Sequence, residues 1–201
     1  DSLTSVKLIA SMQSEDEGIS EYLFAVPDSI VTNYAAFIIN VFDNAGNSSS
    51  DTSSFFSIYD NTLPFVIVSE PSDGFSIPEN ELFTISWSHS DNISIFDHLF
   101  EYSSDGINYD TLLHTPFLTQ VYFNEFSIGG VTTNARIKLT VSDHAGNTSS
   151  DFSSQFSVTD NTPPIVNFDS SLIDTIVFIA EQLTLLWSST DNVDVDYLNF
   201  S

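Results

Sequence analysis

The chain contains no cysteine, which excludes disulfides and thiolate metal sites alike. Basic residues are almost absent as well. Lys7, Arg136 and Lys138 stand against 28 Asp and Glu, for a formal net charge of −25. A surface this acidic repels phosphate backbones and anionic lipid, which weighs against nucleic acid as a partner. No run is long and apolar enough to span a bilayer, so membrane insertion is not expected either. Lack of cysteine does not exclude secretion, but stability outside the cell must then come from packing or metal. The chain opens on Asp1 rather than Met, with no signal-peptide pattern. The expectation is an internal segment of something longer.

What is present is a folded composition, 41% hydrophobic despite the charge, and an internal repeat. Asp143-His144-Ala145-Gly146-Asn147 follows Asp43-Asn44-Ala45-Gly46-Asn47 by 100 residues. Asp160-Asn161-Thr162-Pro163-Pro164 follows Asp60-Asn61-Thr62-Leu63-Pro64, and Trp187-Ser188-Ser189-Thr190-Asp191-Asn192 follows Trp87-Ser88-His89-Ser90-Asp91-Asn92, at that same shift. Three landmarks without drift define a tandem array. The period divides the chain into the end of one repeat (1–60), a complete repeat (61–160) and the beginning of the next (161–201).

Within the period the signals are those of short strands. Ala35, Phe37, Ile39 and Val41 alternate with polar or opposite-facing positions, as in a half-buried strand. Phe83, Ile85 and Trp87 do the same, and Trp187 alternates with Leu185 in the next copy, which assigns both tryptophans to a core and not to a sugar-stacking platform. Further strands are expected at 55–58, 64–68, 96–102, 107–113, 117–126, 136–141 and 152–158. Turns fall at Pro71-Ser72-Asp73-Gly74, at Ser104-Asp105-Gly106 and around Gly46, where positive φ is anticipated. Seven or eight strands in about a hundred residues, with no convincing helix, imply an all-β sandwich.

Two stretches, Leu82-Phe83-Thr84-Ile85-Ser86-Trp87 and Phe100-Glu101-Tyr102-Ser103-Ser104-Asp105-Gly106, resemble the second and third strands of fibronectin type III modules. Arg136 to Asn147 resembles their sixth strand and following loop. With Asp160-Asn161-Thr162-Pro163-Pro164 at the junction, the whole chain is similar to the bacterial Ig-like repeats of giant surface adhesins and filaments. The resemblance implies tandem Ig-like or fibronectin type III-like β-sandwich domains, extracellular, at a cell surface or in a secreted filament. It departs at one place: Ile137 or Leu139 stands where a Tyr is typical, so that residue's corner hydrogen bond is not expected.

In such a sandwich the incoming linker, the loop after the second strand and the loop after the sixth lie at one end. For the complete repeat these carry Asp60, Asn61, Asp91, Asn92, Asp143 and Asn147. Carboxylate and amide oxygens converging from irregular loops suit a hard cation, and Ca²⁺ accepts six to eight of them. The resemblance points the same way, since adhesin repeats often stiffen their junctions with Ca²⁺. The next junction offers Asp160, Asn161, Asp191 and Asn192. Its sixth-strand loop lies beyond residue 201 or is Asp43 to Asn47 of a neighbouring chain. The competing account is plain turn chemistry, since Asp and Asn form Asx turns and stiff linkers without any ion.

Other motifs carry less. His89, His98, His114 and His144 show no paired metal spacing and do not recur between copies, so solvated surface positions are expected. No nucleophile-elbow motif is present, and a motif stamped every hundred residues does not describe a catalytic site; no enzyme is expected. Asp-Ser/Thr-aliphatic triplets at Ser2, Ser29, Thr111 and Thr175 resemble bacterial O-glycosylation sequences. A sugar on Asn47, Asn92 or Asn147, all in Asn-x-Ser/Thr, would compete with a cation. The expected role is a structural segment of an adhesin stalk, surface fibre or filament, with neighbouring repeats or identical subunits as partners. The alternatives are a strand-exchanged polymer subunit and a carbohydrate-binding spacer of a secreted enzyme, which would add surface glycans as partners.

Overall fold

A computed structural model describes residues 7, 9, 10, 21–116, 122–169 and 176–200, with the backbone alone for 122–125. Among them every regular element is a strand. Residues 32–58 hold β1 (Thr32–Ala35), β2 (Ile38–Phe42), β3 (Ser48–Thr52) and β4 (Phe56–Ile58). The central strands are β5 (Phe65–Glu70), β6 (Ser76–Pro78), β7 (Leu82–Ser90), β8 (Ile95–Ser103) and β9 (Asp110–Pro116). They continue with β10 (Tyr122–Ser127), β11 (Thr132–Asp143), β12 (Thr148–Phe152) and β13 (Phe156–Thr159). Last come β14 (Ile165–Phe168) and β15 (Trp187–Thr190).

The central strands form two sheets, β10-β7-β5 and β6-β13-β11-β8-β9, with β12 paired to the end of β11. All pairings are antiparallel except the short β13–β6 contact. The alternation read from the sequence sets which side chains turn inward. Phe83, Ile85 and Trp87 of β7 join Val66 and Val68 of β5 in one buried cluster. Ile77, Phe100, Ala135, Ile137, Leu139, Val141, Phe156 and Val158 from the larger sheet, with Ile128 after β10, complete it. A core filled from both sheets is the arrangement of a β-sandwich. Each buried Val, Leu, Ile or Phe among them contributes about 1.5–3 kcal/mol by leaving water.

The two sheets are also tied at their edges. The Val68 amide of β5 donates to Asp151 Oδ2 on β12 at 2.8 Å. That bond occupies a donor on the outer edge of β5, which otherwise offers unpaired backbone groups. Ser153 breaks the strand expected over 152–158 into β12 and β13. Its Oγ accepts from the Ile137 amide and donates to the Ser154 carbonyl, and its own amide donates to the Ile137 carbonyl. Ser53 repeats all three bonds with Phe37 and Ser54. A serine therefore makes the local corner in both copies.

Pairing registers repeat with the sequence. β2–β3 opposes Ile39 to Asp51 and Val41 to Ser49, while β11–β12 opposes Leu139 to Asp151 and Val141 to Ser149. β14–β15 opposes Phe168 to Trp187, as β5–β7 opposes Val68 to Trp87. Burial does not repeat, because the flanking strands lack a facing sheet among the described residues. Leu139 is 0% exposed and Ile39 is 65%; Phe100 is 0% and Phe200 is 65%. The same reason splits the strand expected over 35–41: β8 pairs with β11 from Arg136 to Asp143, across the positions where β1 and β2 part, whereas β1 and β2 have no such partner among the described residues. Trp187, expected in a core like Trp87, is likewise exposed.

One histidine departs from the surface position expected of it. His98 is fully buried beside Trp87 and Phe100, and its Nε2 lies 3.0 Å from Nδ1 of half-buried His89. Its pKa is lowered to about 4, chiefly by desolvation, with the neighbouring His89 adding to the fall and Asp97 opposing it. The folded state thus resists protonation that the unfolded chain accepts below about pH 6.5. Stability is full above that pH and is lost progressively as pH falls toward 4. Urea midpoints measured from pH 7 to pH 4 should fall less steeply in His98→Phe, which keeps a ring between the same neighbours. Parallel slopes in the two proteins would remove His98 as a cause.

Candidate metal centre

Three loops meet at the end of the central sandwich that faces residues 21–60. The linker is shaped by Asp60, whose Oδ1 accepts from the Thr62 amide at 3.0 Å in an Asx turn. Asp91 shapes the loop between β7 and β8, its Oδ2 accepting from the amides of Ile93 and Ser94. Asp143 closes the loop between β11 and β12: Oδ1 accepts from the Asn147 amide and Oδ2 from Asn147 Nδ2 at 2.7 Å. Gly146 turns that loop at φ +92°, a backbone region in which a side chain is strained, and Gly46 does the same in the earlier copy. Local turn chemistry therefore accounts for one oxygen of Asp60 and Asp91 and for both of Asp143.

The second oxygens of Asp60 and Asp91 are not accounted for by turns. One carboxylate oxygen each from Asp60, Asp91 and Asp143 lies within 4.8 Å of the others. Asp60 Oδ2, Asp91 Oδ1 and Asn92 Oδ1 are shut off from solvent with no hydrogen-bond donor. Buried acceptors without donors cost free energy, and three carboxylates at this spacing repel. The Thr62 amide, then Asn92 Nδ2, holds the Asp60 carboxyl below its ordinary range, which favours the ionised form at neutral pH. Ligands bound to one Ca²⁺ at about 2.3–2.6 Å lie at most about 5 Å apart, so these oxygens are already within its span. Backbone carbonyls or water would supply the rest of its shell.

Amides bind the same loops together. Asn92 Nδ2 donates to Asp60 Oδ1 and to the Asp28 carbonyl, reaching the strands that precede the linker. Asn147 Nδ2 also reaches the Asp60 carbonyl at 3.4 Å. A glycan on either amide nitrogen would replace one of its two N–H donors and so break at least one of these bonds. Asn61, in contrast, is exposed.

The other candidate residues are placed differently. Asp160 caps Thr162 as Asp60 caps Thr62, and Asp191 Oδ1 is buried without a donor, but no third acidic residue joins them among the described residues. Asn161 is exposed. Asn192 Nδ2 crosses to Glu79 Oε1 at 2.6 Å, where Thr162 Oγ1 also donates, while the Gly130 amide reaches Oε2. Glu79, 5% exposed, was not legible as a junction residue because its counterpart one period on is Ile179. Asp43 and Asn47 reproduce the bonds of Asp143 and Asn147, but they are exposed and Asp43 joins no acidic cluster of three among the described residues. Ser29 is exposed in a turn and Thr111 is exposed on β9, whereas Ser2 and Thr175 lie outside the described residues. His114 pairs with Asp97, and His144 with Ser94, so neither points to a metal. Comparison with protein-family models and with curated proteins finds no match for this chain.

Proposed function

We propose that the chain is a segment of an extracellular array of Ig-like or fibronectin type III-like β-sandwiches, part of an adhesin stalk, surface fibre or filament. Its work is mechanical, and Ca²⁺ stiffens each junction. The strand order β10-β7-β5 against β6-β13-β11-β8-β9 supports the module assignment, and the pairing registers that recur after 100 residues support the array. The observation that carries the clamp is the meeting of Asp60, from the linker, with Asp91 and Asp143, from the sandwich. Without a cation these carboxylates repel and the linker swings. With one, linker and sandwich share a ligand shell, and preceding strands follow the linker because Asn92 holds Asp28. The burial of Trp87 weighs against the carbohydrate-binding alternative, which needs that ring on the surface.

Small-angle scattering tests the reading. Calcium should narrow the distribution of interdomain angles and lengthen the particle, and chelator should reverse both while far-UV circular dichroism stays constant. A scattering profile that ignores calcium at saturating occupancy would remove the clamp.

A further inference from the structure

Three ionisable side chains are buried among the described residues: His98, Asp143 and Glu79. A buried carboxylate needs donors around it, and those of Glu79 come from three parts of the chain. The Gly130 amide, in its own repeat, donates to Oε2 at 3.4 Å. Oε1 accepts from Thr162 Oγ1 in the linker at 2.5 Å and from Asn192 Nδ2, in the loop after β15, at 2.6 Å. The backbone fixes Glu79 beside that linker. Its amide donates to the carbonyl of Thr159, the residue before Asp160, and the Asn80 amide donates to the Ile128 carbonyl. Asn80 turns the chain there at φ +63°, a left-handed conformation that asparagine tolerates. The donors belong to the repeated pattern, since Thr62 and Asn92 stand one period earlier. The acceptor does not, since Ile179 stands one period after Glu79.

We propose that Glu79 is a metal-free clasp between the complete repeat and the next, so that this junction stays closed when calcium is removed. The inference rests on the array reading above, which takes residue 161 as the start of the next repeat. Hydrogen bonds to a carboxylate are short and strong, and here two of them converge on one oxygen shut away from water. They join sandwich, linker and following loop. At the preceding junction the corresponding parts meet through Asp60, Asp91 and Asp143, which repel until a cation bridges them. Thr162 and Asn192 instead bring donors to an acceptor, and no bridging ion is needed. A cation at Asp160 and Asp191 would add a second hold to the first.

Pulsed EPR with pairs of spin labels is the test, in a chain with no cysteine of its own. Thr84→Cys on β7 is paired with Asn167→Cys across this junction and with Ser50→Cys across the preceding one; all three positions are exposed. In chelator the 84–167 distance distribution should be narrow and the 84–50 distribution broad. Glu79→Ile should widen the former by about twofold or more, because relative motion is the default for domains without a large apolar interface. Thr162→Val with Asn192→Ala leaves the complete repeat untouched and should widen it equally. Adding Glu79→Ile to that pair should widen it no further, since all three residues serve one contact. Glu79→Gln keeps an acceptor oxygen and should restore most of the narrow width. An 84–167 distribution as broad as 84–50 in chelator overturns the clasp. So does one that stays narrow in both Glu79→Ile and the donor-stripped variant. An 84–50 distribution that ignores calcium instead removes the clamp at the preceding junction and leaves the clasp standing.

Discussion

Asp91→Asn should weaken calcium binding by about 100-fold, a loss near 3 kcal/mol, with Asp143→Asn close behind. Each substitution removes one of three negative charges from oxygens within 4.8 Å of one another. The carboxamide keeps the side chain's size and one acceptor, so the loops should retain most of their shape. Asp105→Asn is the control. Asp105 forms the same kind of turn, accepting from the Ile107 and Asn108 amides and from Asn108 Nδ2, but follows β8 where Asp91 precedes it. Those bonds hold its carboxyl far below the ordinary range. Its replacement should therefore disturb a turn and leave calcium alone. Calorimetric titration of the four proteins decides between ion binding and turn formation. Equal affinities throughout would return the acidic loops to plain turn chemistry.

The second large effect uses the repeat as its own control. Leu139→Ala should cost about 2–5 kcal/mol, because it opens a cavity in a packed core. Ile39→Ala, one period earlier, should cost a few tenths at most in dilute protein, since that side chain is already 65% exposed. Phe100→Ala, at about 3–5 kcal/mol, and Phe200→Ala should divide in the same way. Urea unfolding followed by tryptophan fluorescence measures all four. Comparable losses at Leu139 and Ile39 would mean that the N-terminal strands are buried in solution, contrary to the exposure of Ile39.

Much of this was legible in the sequence because period and alternation are geometric signals. A shift of 100 residues predicted the repeated registers, and the run Phe83, Ile85, Trp87 predicted which face of β7 is buried. The acidic loops could be grouped because an antiparallel sandwich returns alternate loops to one end. Short or single-residue effects were not legible. β6 has three residues and pairs in parallel with β13, too little for any periodicity to register. Ser153 ends a strand through its own side chain, a contact that composition does not reveal. His98 had a readable signal, since it alternates in phase with buried Phe100, but an isolated histidine reads as surface. Glu79 and Asp151 act through partners 83 residues away, and such contacts leave no local mark.

Crystals grown with calcium and measured above and below a wavelength that separates its anomalous signal give the most direct test. The account predicts a peak within about 2.3–2.6 Å of Asp60 Oδ2, Asp91 Oδ1 and an Asp143 oxygen. Calcium bound elsewhere, with these three carboxylates turned out toward water at saturating ion, would contradict it.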